Sequence, residues 1–208
     1  MTSPHPRRRA LAAALAAVTF TMAAPVVAQA AAPAKAPSAT QQRSPQAALA
    51  TITWTLQKAG NPTPDQQDAY NRITAAMNAA VARYNNLSDL GKNITVQYDP
   101  GVPTADGNIN GTIRFGNRAY MTERTALHEI AHTIGVGTSS RWASLTSGGT
   151  WRGAEATRLV RQYDGASATL SAGGGHFWPY GLNYDNEFSQ TAADRHVNIV
   201  AAMVRDGL

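Results

Sequence analysis

The chain of 208 residues contains no cysteine, which excludes disulfide frameworks, thiol nucleophiles and thiolate metal sites. Charged residues make up only 15%, and no acidic residue precedes Asp65. The formal net charge is +5, so its location decides its meaning. Arg7, Arg8, Arg9, Lys35 and Arg43 precede residue 45, and without these five the chain carries 13 basic and 13 acidic residues. A folded segment that is neutral overall lacks the clustered cations that counterion release requires, so nucleic-acid binding is disfavoured. Beyond the first thirty residues no apolar run approaches the ~20 residues of a membrane span, and no internal repeat is present.

Met1–Ala30 has the build of an export signal. Arg7–Arg9 form a positive start, Ala10 to about Ala24 an apolar stretch, and Ala28-Gln29-Ala30 a small-x-small cleavage site. The apolar stretch is short and Ala-rich for an anchor, and the arginines are clustered rather than spread along an amphipathic helix as in a transit peptide. Arg8-Arg9 leaves Sec and twin-arginine export both open. Residues 31–46 are Pro, Ala, Ser and Gln with few large apolar side chains, the composition of a disordered spacer. Residues 47–208 then form one domain, expected to be secreted, soluble after signal cleavage and monomeric.

Within that domain, Ile52, Trp54 and Leu56 alternate with threonines, which predicts a half-buried strand. Thr63-Pro64-Asp65 is a helix start, and Tyr70, Ile73, Met77, Val81 and Tyr84 continue at steps of three and four, predicting a long helix to about Asn85. Ile94, Val96 and Tyr98, then Ile109, Ile113 and Phe115, predict two further strands around a loop. The loop's Asp99, Asp106, Asn108 and Asn110 lack the dense spacing of a calcium loop and read as solvated. Trp151 to Gln162 reads as a helix, and His196 lies in a terminal amphipathic helix as a packed or surface residue.

The chemistry concentrates in Thr122–Gly135, TERTALHEIAHTIG. Leu127, Ile130, Ala131 and Ile134 form an apolar stripe at helical spacing. On that helix His128 and His132 lie about 40° apart in azimuth and about 6 Å apart along the axis, so both imidazoles can reach one cation. Glu129 projects about 100° from His128, beside such a cation rather than onto it, where a carboxylate can take up and return a proton. Gly135 suits a left-handed helix exit.

His128-Glu129-Ile130-Ala131-His132-Thr133-Ile134-Gly135 resembles the active-site helix of the zincin metallopeptidases, including the glycine of the metzincin branch. The order strand, long helix, strands, active-site helix over residues 51–135 is similar to the N-terminal half of that family. The resemblance implies an α+β zincin-like fold: a small twisted sheet, a long N-terminal helix and the HExxH helix, followed by a C-terminal half of loops and helices. It implies Zn2+ as cofactor and a protein or peptide as substrate. Where metzincins place a third ligand, this chain has Thr138, and no Met-turn follows, Met203 being the only later Met.

The third ligand is therefore sought in the chemistry downstream. His176 follows three glycines and precedes Phe177, Trp178 and Tyr180, so backbone can approach a crowded site closely and aromatics can fix the ring. Glu155, at the helical position where gluzincin-type enzymes carry a Glu ligand, and Glu187 or Asp185 are the alternatives. Tyr180 and Tyr184 are candidates for oxyanion donors, and Phe177 and Trp178 for cleft walls. The expected activity is that of a secreted zinc metalloendopeptidase, with His128, His132 and His176 as ligands and Glu129 as general base and then acid. Two other readings stay open: a secreted zinc-containing glycan or cell-wall binding module, and a peptidoglycan amide hydrolase using the same zinc site. Glu129 counts against the first, because a purely structural site needs no such carboxylate.

Overall fold

A computed structural model describes residues 51–208; the expected export signal at 1–30, the expected spacer at 31–46 and residues 47–50 lie outside the described residues. Strand β1 (Ile52–Leu56) buries Ile52 and exposes Thr53 and Thr55, the alternation its sequence carries. Helix α1 (Pro64–Leu87) opens on a reciprocal capping box. The Thr63 hydroxyl accepts from the Gln66 N–H, and the Gln66 side chain accepts from the Thr63 N–H at 2.9 Å. Ile73, Met77 and Tyr84 are fully buried along its inner face.

The sheet has four strands in the order β1-β2-β4-β3, with β2 at Lys92–Tyr98, β3 at Ala105–Gly107 and β4 at Thr112–Phe115. β1 and β2 are parallel, with Trp54 opposite Ile94, so α1 is the crossover that parallel neighbours require. β2 and β4 are also parallel, while the edge strand β3 runs antiparallel to β4. The expectation that Ile109 belongs to a strand is corrected. The chain reverses between β3 and β4 around Asn108, whose side chain accepts from the Asn110 N–H, leaving Ile109 40% exposed. The loop acids Asp99 and Asp106 both pair with Arg114.

Helix α2 (Glu123–Ile134) starts at Thr122, whose hydroxyl accepts from the Thr125 N–H, and ends at Gly135 with φ +134°. It lies against α1, β3 and the last helix. β3 comes very near: a Cβ at Gly107 would stand 2.5 Å from the Glu129 carbonyl oxygen, so glycine there lets the sheet edge lie directly on the helix. A short helix α3 (Trp142–Leu145) leads to α4 (Ala154–Asp164), the hairpin β5 (Ser171–Gly173) and β6 (His176–Trp178), and α5 (Gln190–Arg205). Asp206, just past α5, holds the start of α4. Its carboxylate accepts from the Glu155 and Ala156 N–H groups at 2.7 and 3.0 Å and from the Trp151 indole at 2.9 Å. The architecture is mixed α+β with a small sheet and five α-helices, and no helix among the described residues is long and apolar enough to cross a membrane.

Helices α1, α2 and α5 share a core that includes Tyr84, Leu127, Ile130, Val197 and Val200. His196 is fully buried within it, as a packed residue. Its Nδ1–H donates to the Tyr180 carbonyl at 2.7 Å, and its Nε2 lies 3.1 Å from the Tyr84 hydroxyl. Burial pushes its pKa down to about 4, so the ring is neutral; Nε2 also lies 3.1 Å from the Leu127 carbonyl oxygen, to which the Tyr84 hydroxyl donates at 3.2 Å. One imidazole thus ties α5 to α1 and to the segment after β6.

Candidate metal centre

The α2 helix brings the His128 and His132 Nε2 atoms to 3.1 Å from each other. The far side of each ring settles which atoms carry hydrogen. His128 Nδ1 lies 2.8 Å from the Gly181 carbonyl oxygen and His132 Nδ1 lies 2.7 Å from that of Val136. A carbonyl oxygen only accepts, so both Nδ1 atoms are protonated and, in the neutral rings, both Nε2 atoms present lone pairs. Burial keeps the rings neutral, lowering the His128 pKa to about 3 and that of His132 below its usual value. Two facing lone pairs repel unless a cation stands between them. Zn–N bonds of 2.0–2.1 Å at a tetrahedral angle put two nitrogens about 3.3 Å apart, close to the spacing found.

His176 opens β6, and its ring stacks at 15° on that of His128 with centroids 5.2 Å apart. One ring nitrogen from each of His128, His132 and His176 lies within 4.8 Å of the others, so the three form a group that could hold a metal ion. Two glycines make this approach possible. Gly137 has φ +70°, and a Cβ there would stand 2.3 Å from the Gly175 carbonyl oxygen. The turn that offers the Val136 carbonyl to His132 therefore also admits the hairpin that carries His176.

Glu129 is 5% exposed, and among the described residues its Oε2 is buried without a hydrogen-bond partner. Burial raises its pKa to about 8, helped by the nearby Asp106 and opposed by Arg124. A dication at the three imidazoles favours the ionised carboxylate instead. The histidines and Glu129 border a cavity of about 370 Å³, also lined by Asp106, Tyr120, Arg124, Thr138 and Asn183.

The other expected site residues lie elsewhere. Glu155 pairs with Arg158 on the surface of α4. Glu187 accepts from the backbone and side-chain amides of Asn183, and Asp185 pairs with Arg124; none of these three acids joins the histidine group. The oxyanion reading of Tyr180 is corrected, because its hydroxyl donates to Asp164 and accepts from Arg195, away from the cavity. Tyr184 is 63% exposed and does not line the cavity either. The phenol that does line it is Tyr120. Phe177 is buried against His196 rather than walling a cleft. Thr138 donates to the His132 carbonyl at 2.6 Å and lines the cavity. Tyr120, Arg124 and Asn183 carried no sequence signal beyond the proximity of Arg124 to the motif.

No protein-family model matches the chain, and no curated protein or solved structure compared with it gives a match. The functional reading rests on the chemistry of the site itself.

Proposed function

We propose that the protein is a secreted zinc-dependent peptidase of zincin-like fold, with Glu129 as its proton-transfer group. One observation carries the reading: three imidazoles converge beside a buried carboxylate whose Oε2 has no partner, at the edge of a cavity. Three neutral imidazoles leaving a position open are a donor set that suits catalytic zinc. Bound there, zinc supplies a Lewis acid that acidifies water and polarises a carbonyl. Glu129 Oε2 takes a proton from a water in the cavity and returns it to the departing amide nitrogen. His128 and His132 hold their Nε2 lone pairs on the site because the Gly181 and Val136 carbonyls keep the protons on Nδ1. The order of elements up to α2 and the export signal at 1–30 support the zincin and secretion parts of the reading.

The test is Glu129→Gln beside His132→Ala, assayed for bound zinc and for hydrolysis of casein and of purified muropeptides. Glu129→Gln is expected to retain one equivalent of zinc and lose roughly 10²–10⁴ in turnover. His132→Ala is expected to lose both. Wild-type turnover by Glu129→Gln refutes the assignment, and cleavage of muropeptides alone moves the substrate to cell-wall amides.

A further inference from the structure

Two groups lining the cavity are left unused by proton transfer at Glu129. Arg124 lies one helical turn before His128, so positions 124, 128 and 132 form one stripe along α2. Its side chain is 7% exposed. Nε donates to Asp185 at 2.6 Å and Nη1 to the Leu182 carbonyl at 2.8 Å, while Nη2 makes no hydrogen bond among the described residues. Among the described residues the one acid paired with it, Asp185, is 80% exposed, and water screens that partner far more than the buried guanidinium. Of the cavity's own acids, Asp106 is already paired with Arg114, and Glu129, whose pKa Arg124 lowers, makes no hydrogen bond or ion pair with that guanidinium among the described residues. A dry guanidinium with one nitrogen free of partners therefore borders the space beside the histidines.

Asn183 stands in the chain between the two groups that hold Arg124. Its Nδ2 donates to the Phe177 carbonyl and to Glu187, which fixes the orientation of the amide. Its Oδ1 is buried without a partner among the described residues, and Asn183 lines the same cavity. A buried acceptor left unpaired is costly, and a bound donor removes that cost. A guanidinium with its Nη2 free and an unpaired acceptor lining the same cavity complement a carboxylate and an amide N–H of one ligand. One helical turn spans about 6 Å along α2, the length of about two residues of extended chain.

Given the peptidase reading above, we propose that Arg124 and Asn183 form a specificity subsite for peptides carrying a carboxylate within two residues of the cleaved bond. Arg124 pairs with the carboxylate, and Asn183 Oδ1 accepts a substrate N–H. The carboxylate comes from an Asp or Glu side chain or from a free chain terminus.

The test measures binding rather than turnover. Zinc-loaded Glu129→Gln protein is titrated with fluorescent, amidated oligoalanine heptapeptides in which one Glu is walked along the chain, each matched to its Gln counterpart. The all-alanine peptide is compared as free acid and amide. One or two neighbouring Glu positions, or the free acid, are expected to bind roughly tenfold tighter than the neutral match. The two arms identify the side-chain and terminal sources. Adding Arg124→Gln is expected to bring the ratio close to one while neutral peptides lose less than about threefold, which a merely structural role would not produce. Adding Asp185→Asn at its exposed position is expected to raise the ratio about twofold. Equal binding of all matched pairs, a preference that survives Arg124→Gln, or a ratio that does not rise with Asp185→Asn overturns the proposal. Failure of the protein with Glu129 intact to cleave any peptide sinks the peptidase reading instead, and leaves the measured charge preference standing.

Discussion

Gly137→Ala is the sharpest probe of how the third histidine reaches the site. Alanine at φ +70° costs about 1–2 kcal/mol from backbone strain alone. The new Cβ would also lie 2.3 Å from the Gly175 carbonyl oxygen, about 1 Å short of ordinary contact. That oxygen belongs to the residue before His176, so relief of the clash displaces the imidazole by a comparable distance. Metal–nitrogen bonds tolerate about 0.2 Å, so the third ligand is lost or badly strained. Gly149→Ala provides the control, because φ there is +74° and the nearest atom to a new Cβ is the Ala172 carbonyl oxygen at a comfortable 3.7 Å. Competition for zinc against a chromogenic chelator should show Gly137→Ala weakened by roughly 10–100-fold and Gly149→Ala unchanged. Thermal unfolding of the metal-free proteins should show the strain cost in both. Equal zinc affinity in the two variants would refute the claim that this glycine contact positions His176.

Two further perturbations read the scaffold. His196 has a folded pKa of about 4 against an ordinary value of 6.5, so the unfolded chain binds the extra proton between these values. Its contribution to stability is complete above pH 6.5 and is lost as pH falls toward 4, about 3 kcal/mol in all. Urea unfolding of the metal-free protein should show a lower midpoint at pH 4.5 than at pH 7, with a smaller difference in His196→Gln; identical wild-type midpoints would count against the buried neutral ring. Asp206→Ala removes three hydrogen bonds to a carboxylate and should destabilise the fold by roughly 2–4 kcal/mol in denaturant titration, with zinc affinity held within about twofold.

What could be read from the sequence follows the range of the interactions that decide it. The α1 start was legible because Thr63, Pro64 and Asp65 mark it within three residues, and the structure adds Gln66 to close the capping box. The pairing of His128 with His132 was legible because helix geometry alone sets it. β3 was not, since Ala-Asp-Gly has no strand preference and is held by pairing with β4 and by contact with α2. Ile109 misled because an apolar residue in a turn continues an alternation that the chain itself breaks at Asn108. His176 could be singled out as a candidate from its glycine-rich setting, but its approach depends on Gly137, 39 positions earlier. Arg124 looks like a surface cation in a first helical turn, and only the segment 182–185 folding over it makes it buried. Tyr180 failed for the same reason in reverse, as Asp164 and Arg195 draw its hydroxyl away from the cavity.

The acceptors that orient His128 and His132 are both main-chain oxygens, of Gly181 and Val136. A point substitution can alter a side chain but cannot delete a carbonyl, so the protonation pattern of these ligands is inherited with the path of the chain rather than with the identity of a neighbour. Residue 136 offers its carbonyl whatever its side chain, although Val136 is itself packed in the core. Residue 181 has no room for a side chain, because a Cβ there would stand 2.0 Å from the Phe177 carbonyl oxygen. Substitutions that would disturb these lone pairs therefore concentrate at the histidines themselves and at the glycines that set the path of the chain.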